Sequence, residues 1–113
     1  MENKPKINID DFQKVEIKIG EILSVEKVLD SEKLLKLMVN FGEEAPRQIV
    51  SGISSYFPDT EVLVGKKCAF STNLEPRVIR GLESNGMILA VSGETYFSLL
   101  EVSKDVTPGS VIK

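Results

Sequence analysis

Hydrophobic and polar residues alternate with period two along most of this chain, the signature of strands that bury one face. The longest run covers residues 14–28, where Val15, Ile17, Ile19, Leu23 and Val25 fall on odd positions between Glu16, Lys18, Ser24 and Glu26. Gly20 sits inside this run and marks a bulge or a sharp bend. Lys33 to Phe41 alternates again, with Leu35, Leu37, Val39 and Phe41 on one face and Lys36 and Asn40 on the other. Arg47 to Ile53, Lys67 to Leu74 and Gly86 to Ser92 read as further strands. Gly42 to Pro46 is a hairpin loop by its glycine, charge and proline. Residues 54–65 leave room for one helical turn and a loop, and residues 75–85 read as a loop. Ile7 to Phe12, with Asp10 and Asp11 early, reads as a short capped helical turn. Tyr96 to Ile112 adds short strands around the turn Thr107-Pro-Gly109.

Five strands, a helical turn between the third and fourth, and a first strand bent at glycine describe an all-β protein. The bend lets one strand serve two parts of a closed wall. This is the OB-fold pattern, a partly open five-stranded barrel; on periodicity alone an SH3-like or another small barrel fits as well. The length of 113 residues suits one domain, assigned to 9–113 behind a flexible N-terminal segment at 1–8.

Composition narrows the chemistry. The chain has no histidine and no tryptophan, and its single cysteine is Cys68. No imidazole base exists for Ser-His or Cys-His catalysis, and a Cys/His zinc site fails on the same count. No carboxylate pair shows a ligand-like spacing, so a metal-dependent hydrolase finds no support. A lone thiol suits a reducing cytosol. Residues 1–8 are polar and lack the apolar run of a signal peptide, so a cytoplasmic location is expected.

Charge changes the picture further. The chain as a whole carries −3, yet residues 45–81 hold Arg47, Lys66, Lys67, Arg77 and Arg80 against only Asp59, Glu61 and Glu75. Every arginine of the chain lies there, and arginine's planar fork suits phosphates and stacked bases.

Particular strings carry more than the pattern does. They are Asp30-Ser-Glu-Lys-Leu-Leu-Lys-Leu37, Pro46-Arg-Gln-Ile-Val-Ser-Gly-Ile53 and Asn73-Leu-Glu-Pro-Arg-Val-Ile-Arg-Gly-Leu-Glu-Ser-Asn-Gly-Met-Ile-Leu-Ala90. With Ile9-Asp-Asp-Phe-Gln-Lys-Val15 and Gly65-Lys-Lys67, they closely resemble the tRNA-binding domain family. That family takes in the C-terminal domain or β subunit of bacterial methionyl-tRNA synthetases, free-standing structure-specific tRNA-binding proteins and a group of export chaperones. The resemblance runs from about residue 9 to the C-terminus. It departs at Val28-Leu-Asp-Ser-Glu32, in the loop that presents Lys33, where the family often has His-Pro-Asn-Ala-Asp.

The resemblance implies an OB-fold with short additional C-terminal strands, a homodimer, and non-catalytic docking onto the outer corner of tRNA with no cofactor. It places Lys33, Ser51, Asn73, Arg77, Arg80, Ser84 and Met87 on the RNA-facing surface. Lys33, Arg77 and Arg80 suit phosphates, Ser51, Asn73 and Ser84 suit phosphate, 2′-hydroxyl or base edges, and Met87 offers an apolar surface to a base. Each has a plainer reading: turn solvation for both arginines, surface for Lys33, a barrel hydroxyl for Ser51, a cap for Asn73, loop shaping for Ser84 and core for Met87. Tyr56 and Phe57, beside Pro58, read as packing. A partner synthetase domain is implied in one branch. The alternative is a dimeric chaperone-like protein-binding module, which the Ser-x-Gly-Met string disfavours.

Overall fold

A computed structural model describes residues 3–113; Met1 and Glu2, part of the segment read as flexible, lie outside the described residues. Asn8 caps a single helical turn, α1 (Ile9–Phe12), its Oδ1 accepting from the Asp11 N–H at 2.8 Å. Then follow β1 (Ile17–Lys27), β2 (Leu35–Asn40), β3 (Arg47–Ser51), 3₁₀ turns at Ser54–Tyr56 and Thr60–Leu63, and β4 (Lys67–Ser71). The chain ends with β5 (Arg77–Ile79), β6 (Leu82–Ser84), β7 (Met87–Ile88), β8 (Ala90–Ser92), β9 (Phe97–Leu99) and β10 (Val111–Ile112). No helix among the described residues is long and apolar enough to cross a membrane.

The main antiparallel sheet runs β3-β2-β1-β4-β7 and curls so that β3 comes to lie beside β7 and the β6 segment that precedes it. The closing seam is not a regular ladder. The Asn85 N–H donates to the Gln48 carbonyl at 2.8 Å, and Gln48 Nε2 donates to the Glu83 carbonyl at 3.0 Å. The Val50 N–H donates to Ser84 Oγ at 3.0 Å. The result is the OB-type barrel that the strand pattern and the resemblance implied. Its interior holds Ile22, Leu35, Leu37, Val39, Ile49 and Phe70, all fully buried, and Phe41 meets Phe70 edge to face at 5.2 Å.

β2 behaves as its alternation requires, with Leu35, Leu37 and Val39 inward. β1 does not. Gly20 pairs with the buried Cys68, and Ile22 with Val39, so the even positions enter the barrel in the first half of the strand. The pairing with β2 slips between Ile22 and Ser24, leaving Leu23 as an exposed bulge and returning Val25 to the inside opposite Leu37. Ile19, on the outer side, is nonetheless buried, because the Gly109 N–H donates to its carbonyl and its own N–H donates to the Ser110 carbonyl. Two covered faces hid the phase. Gly20 itself is dictated by packing, since a Cβ there would lie 2.5 Å from Val39 Cγ1 and 2.6 Å from Phe41 Cε1.

The span read as a loop, residues 75–85, is instead a hairpin. β5 and β6 pair around Arg80 and Gly81, which both take left-handed backbone at φ +52° and +78°, as primed two-residue turns do. The fifth strand is divided: β7 stays on the barrel wall beside β4, whereas β8 leaves it to pair with β9. Where β7 stops, the tail takes over the edge of β4, through Ala69 N–H to Leu100 O at 3.0 Å and Val102 N–H to Lys67 O at 2.9 Å. On the other side, β10 occupies the part of the β1 edge that β2 leaves free. Tyr56 and Phe57 pack as read: Tyr56 stacks on Phe97 with centroids 3.9 Å apart, and Phe57 meets the same ring edge on.

Candidate nucleic-acid interface

Of the residues expected on the RNA-facing surface, Lys33 lies in the β1–β2 connection and Asn73, Arg77, Arg80 and Ser84 in the long β4–β7 connection, while Ser51 ends β3 and Met87 opens β7. In OB-folds these connections, with the second and third strands, form the usual oligonucleotide-binding face.

Lys33 sits in the first of them, on a turn pinned from within. Asp30 takes left-handed backbone at φ +62°, and Ser31 Oγ accepts from the Lys33 and Leu34 N–H groups at 3.3 and 3.2 Å. The Lys33 carbonyl in turn accepts from the Ser54 N–H at 3.0 Å. Backbone and serine bonds thus build this loop without a His-Pro pair, and the Lys33 side chain is left exposed. Ser51 ends β3 opposite Leu35, at the same end of the barrel.

The second connection carries the β5–β6 hairpin, which lies against β3 over the buried Val50. Arg77 and Met87 are exposed and share a cleft of about 50 Å³ with Val50, Leu74 and Ile79. Ser84 also borders this cleft, but it is only 4% exposed; its hydroxyl accepts from the Val50 N–H and lies 3.2 Å from the Gly86 carbonyl. Asn73 is committed as well. Its Oδ1 accepts from the Glu16 N–H at 2.8 Å and its Nδ2 donates to the Lys14 carbonyl at 2.7 Å, clamping the chain ahead of β1. Arg80, at the hairpin tip, reaches a different and larger cleft of about 290 Å³. Glu26, Lys27, Val28, Leu29, Lys36 and Leu82 complete its lining.

Lys27 and Lys36 were not singled out in the sequence, although the alternation of β2 already set Lys36 outward. The structure also separates the arginines. Arg47 grips Glu43 with Nε at 2.9 Å and Nη2 at 2.7 Å, donates Nη1 to the Thr72 carbonyl at 2.7 Å and lies over the Phe41 ring. Its hydrogen bonds hold the Glu43 carboxyl below the usual range, and Glu43 raises Arg47 in return. Lys33, Arg77 and Arg80 have no carboxylate partner among the described residues, unlike Lys14, Lys18, Lys36, Arg47 and Lys66. Burial pushes the Cys68 thiol up to about 11, with Glu101 adding to the shift, so it is a protonated core group. No cluster of acidic or thiol side chains suited to a metal ion occurs among the described residues.

An OB-type barrel with unpaired cations on these two connections has the make-up of a nucleic-acid-binding domain. Residues 17–111 match the family described as "Putative tRNA binding domain", and the chain belongs to that family. It is 44% identical over 109 residues to a methionine–tRNA ligase of Lactococcus lactis, and 51% identical over 112 residues to that of Methanoregula boonei. These alignments take in 96% and 99% of the chain but 16% of either ligase. The MetRS-related protein from Pyrococcus horikoshii superposes with a TM-score of 0.90 at 36% identity, over 97% of this chain and 100% of that one. The chaperone CsaA from Bacillus anthracis shares the fold, with a TM-score of 0.83 at 23% identity over 96% of this chain and 100% of that one.

Proposed function

We propose that this chain is a docking module for tRNA: it binds the outer corner of the molecule by shape and phosphate contact and performs no chemistry on it. The observation that carries the reading is the placement of Lys33, Arg77 and Arg80, free of acidic partners, on the two connections that border the binding face of an OB-type barrel. On a chain of net charge −3, these three side chains supply local phosphate contacts rather than a general attraction for polyanions. In this scheme Lys33, Arg77 and Arg80 neutralise phosphates, Ser51 bonds to the backbone or 2′-hydroxyl, and the half-exposed Met87 supports a base. Asn73 and Ser84 serve the same surface as positioning residues, by holding the barrel seam and the start of β1.

The module acts beside a methionyl-tRNA synthetase catalytic domain, or alone, as a homodimer. Exposed Val91, Tyr96 and Leu100 on and beside the β8–β9 hairpin supply an apolar surface for the second copy. Pairing doubles the cationic face and raises the effective concentration of tRNA at a tethered partner.

The test is equilibrium binding to bulk tRNA from low to physiological salt, with duplex DNA as competitor. Binding should weaken as salt rises and resist the DNA. Arg77→Ala and Arg80→Ala should each cost about 1–2 kcal/mol with the fold intact. A double variant that binds like the parent at matched salt refutes the assignment. Salt-insensitive peptide binding that tRNA does not compete with would favour the chaperone-like alternative.

A further inference from the structure

We propose that the cleft between the β1–β2 connection and the β5–β6 hairpin tip receives one unstacked nucleotide of the bound RNA. Its base lies against Leu29 and Leu82, and its phosphate lies between Arg80 and Lys27. The proposal rests on the tRNA-binding reading above and adds to it a subsite that includes none of the expected contact residues except Arg80.

The cleft has two chemically distinct parts. Val28, Leu29 and Leu82 form an apolar wall, and Lys27, Lys36 and Arg80 stand around it. Glu26 is the acid in the cleft, and it is already engaged by Lys36 at 3.3 Å. Lys27 and Arg80 are left without a carboxylate partner among the described residues. A flat apolar group joined to a monoanion complements that arrangement, and a nucleotide is such a group. The open cleft, of about 290 Å³, has room for one nucleotide.

Both walls are built to hold their residues out. Leu29 is 89% exposed, the most exposed large hydrophobic side chain among the described residues. It stands on the turn that Asp30 and Ser31 fix from within, so it is presented on a settled backbone. Arg80 occupies a left-handed position that asparagine or glycine fills with less strain. Non-glycine residues held in such backbone concentrate at ligand-binding positions. RNA is read mainly where bases are splayed from the stack, by apolar or planar side chains combined with phosphate contacts.

The test uses the full chain, bulk tRNA over a salt series, and adenosine 5′-monophosphate as a small probe. Leu29→Ser removes only a solvent-exposed side chain and should leave the melting temperature unchanged. It should weaken tRNA binding about tenfold with an unchanged salt slope, because the lost contact is apolar. Lys27→Ala should lower the slope of log affinity against log salt by about one. The nucleotide should shift the Leu29, Arg80 and Leu82 amide resonances saturably, and Leu29→Ser should abolish the Leu82 shift while leaving the Arg80 one, whereas ribose 5-phosphate should perturb Arg80 and Lys27 alone. Variants at Leu29 and Lys27 that match the parent, while Arg77→Ala still weakens tRNA, overturn the subsite and leave the tRNA reading standing. Displacement of the nucleotide by an acidic peptide, with tRNA binding unaffected, also overturns it. A parent chain that binds no tRNA overturns both readings.

Discussion

Ser84→Ala separates a structural role from an RNA-contacting one. Ser84 and Val50 are 4% and 5% exposed, and the serine hydroxyl accepts the Val50 N–H at 3.0 Å across the seam where β3 meets β6. Removing it leaves that amide buried without its side-chain acceptor, a loss of about 1–3 kcal/mol. Only the Gln48 bonds to Asn85 and Glu83 then remain of the seam contacts described above. At about 2.1 cal/mol/K of unfolding entropy per residue, a chain of 113 residues has roughly 240 cal/mol/K, so a 2 kcal/mol loss lowers the melting temperature by about 8 °C. Thermal and urea unfolding should show this with an unchanged m-value. Affinity for tRNA, measured well below the variant's melting temperature, should stay within about twofold of the parent, a shift too small to represent a lost contact. An unchanged melting temperature together with lost tRNA binding would refute the reasoning and make the hydroxyl a ligand contact.

Other outcomes follow from the same geometry. Gly20→Ala should cost about 1–3 kcal/mol by overpacking, read as a lower urea midpoint, because its Cβ meets Val39 and Phe41 inside the barrel. Asn73→Ala should cost about 1 kcal/mol and speed hydrogen exchange at the Glu16 amide, which loses its acceptor. The buried Cys68 thiol titrates near 11 in the folded chain against 9.0 for an ordinary thiol. The unfolded chain therefore sheds this proton first, so stability is full below pH 9 and falls between pH 9 and 11, by on the order of 2 kcal/mol. Alkaline unfolding of Cys68→Ala should show a shallower loss across that window. Glu43, held low by Arg47, should work in the opposite direction, stabilising above its unfolded value and losing that contribution as the pH falls through its folded one.

What could be read in the sequence depended on how many faces of a strand are covered. β2 has one face inside and one outside, and Leu35, Leu37 and Val39 declared it directly. β1 defeated the same logic: the tail covers Ile19 from outside while Gly20 and Ile22 point inward, and the bulge at Leu23 shifts the phase midway. The β5–β6 hairpin was missed because an arginine fills a turn position at which asparagine or glycine would have signalled it; Gly81 alone was the available cue. On the candidate face, the chemistry of Lys33, Arg77 and Arg80 was visible from residue type and string. The commitments of Asn73 and Ser84 were not, because their partners lie 57 to 59 and 34 residues away in the chain. Arg47 looked like its fellow arginines until the fold placed Glu43 and the Thr72 carbonyl around it.

The pairing of Ile17 and Lys18 with Ile112 and Val111 sets a schedule for the molecule. β1 keeps part of its edge open until Val111 and Ile112 are in place to pair with it. Until then the barrel offers an unpaired strand edge, the feature that recruits other chains into unwanted sheets. Closing so long a loop also delays the final step of folding, since that contact is among the most distant the sequence allows. Removing residues 108–113 would therefore do more than shorten a tail: it would leave that stretch of the β1 edge permanently open.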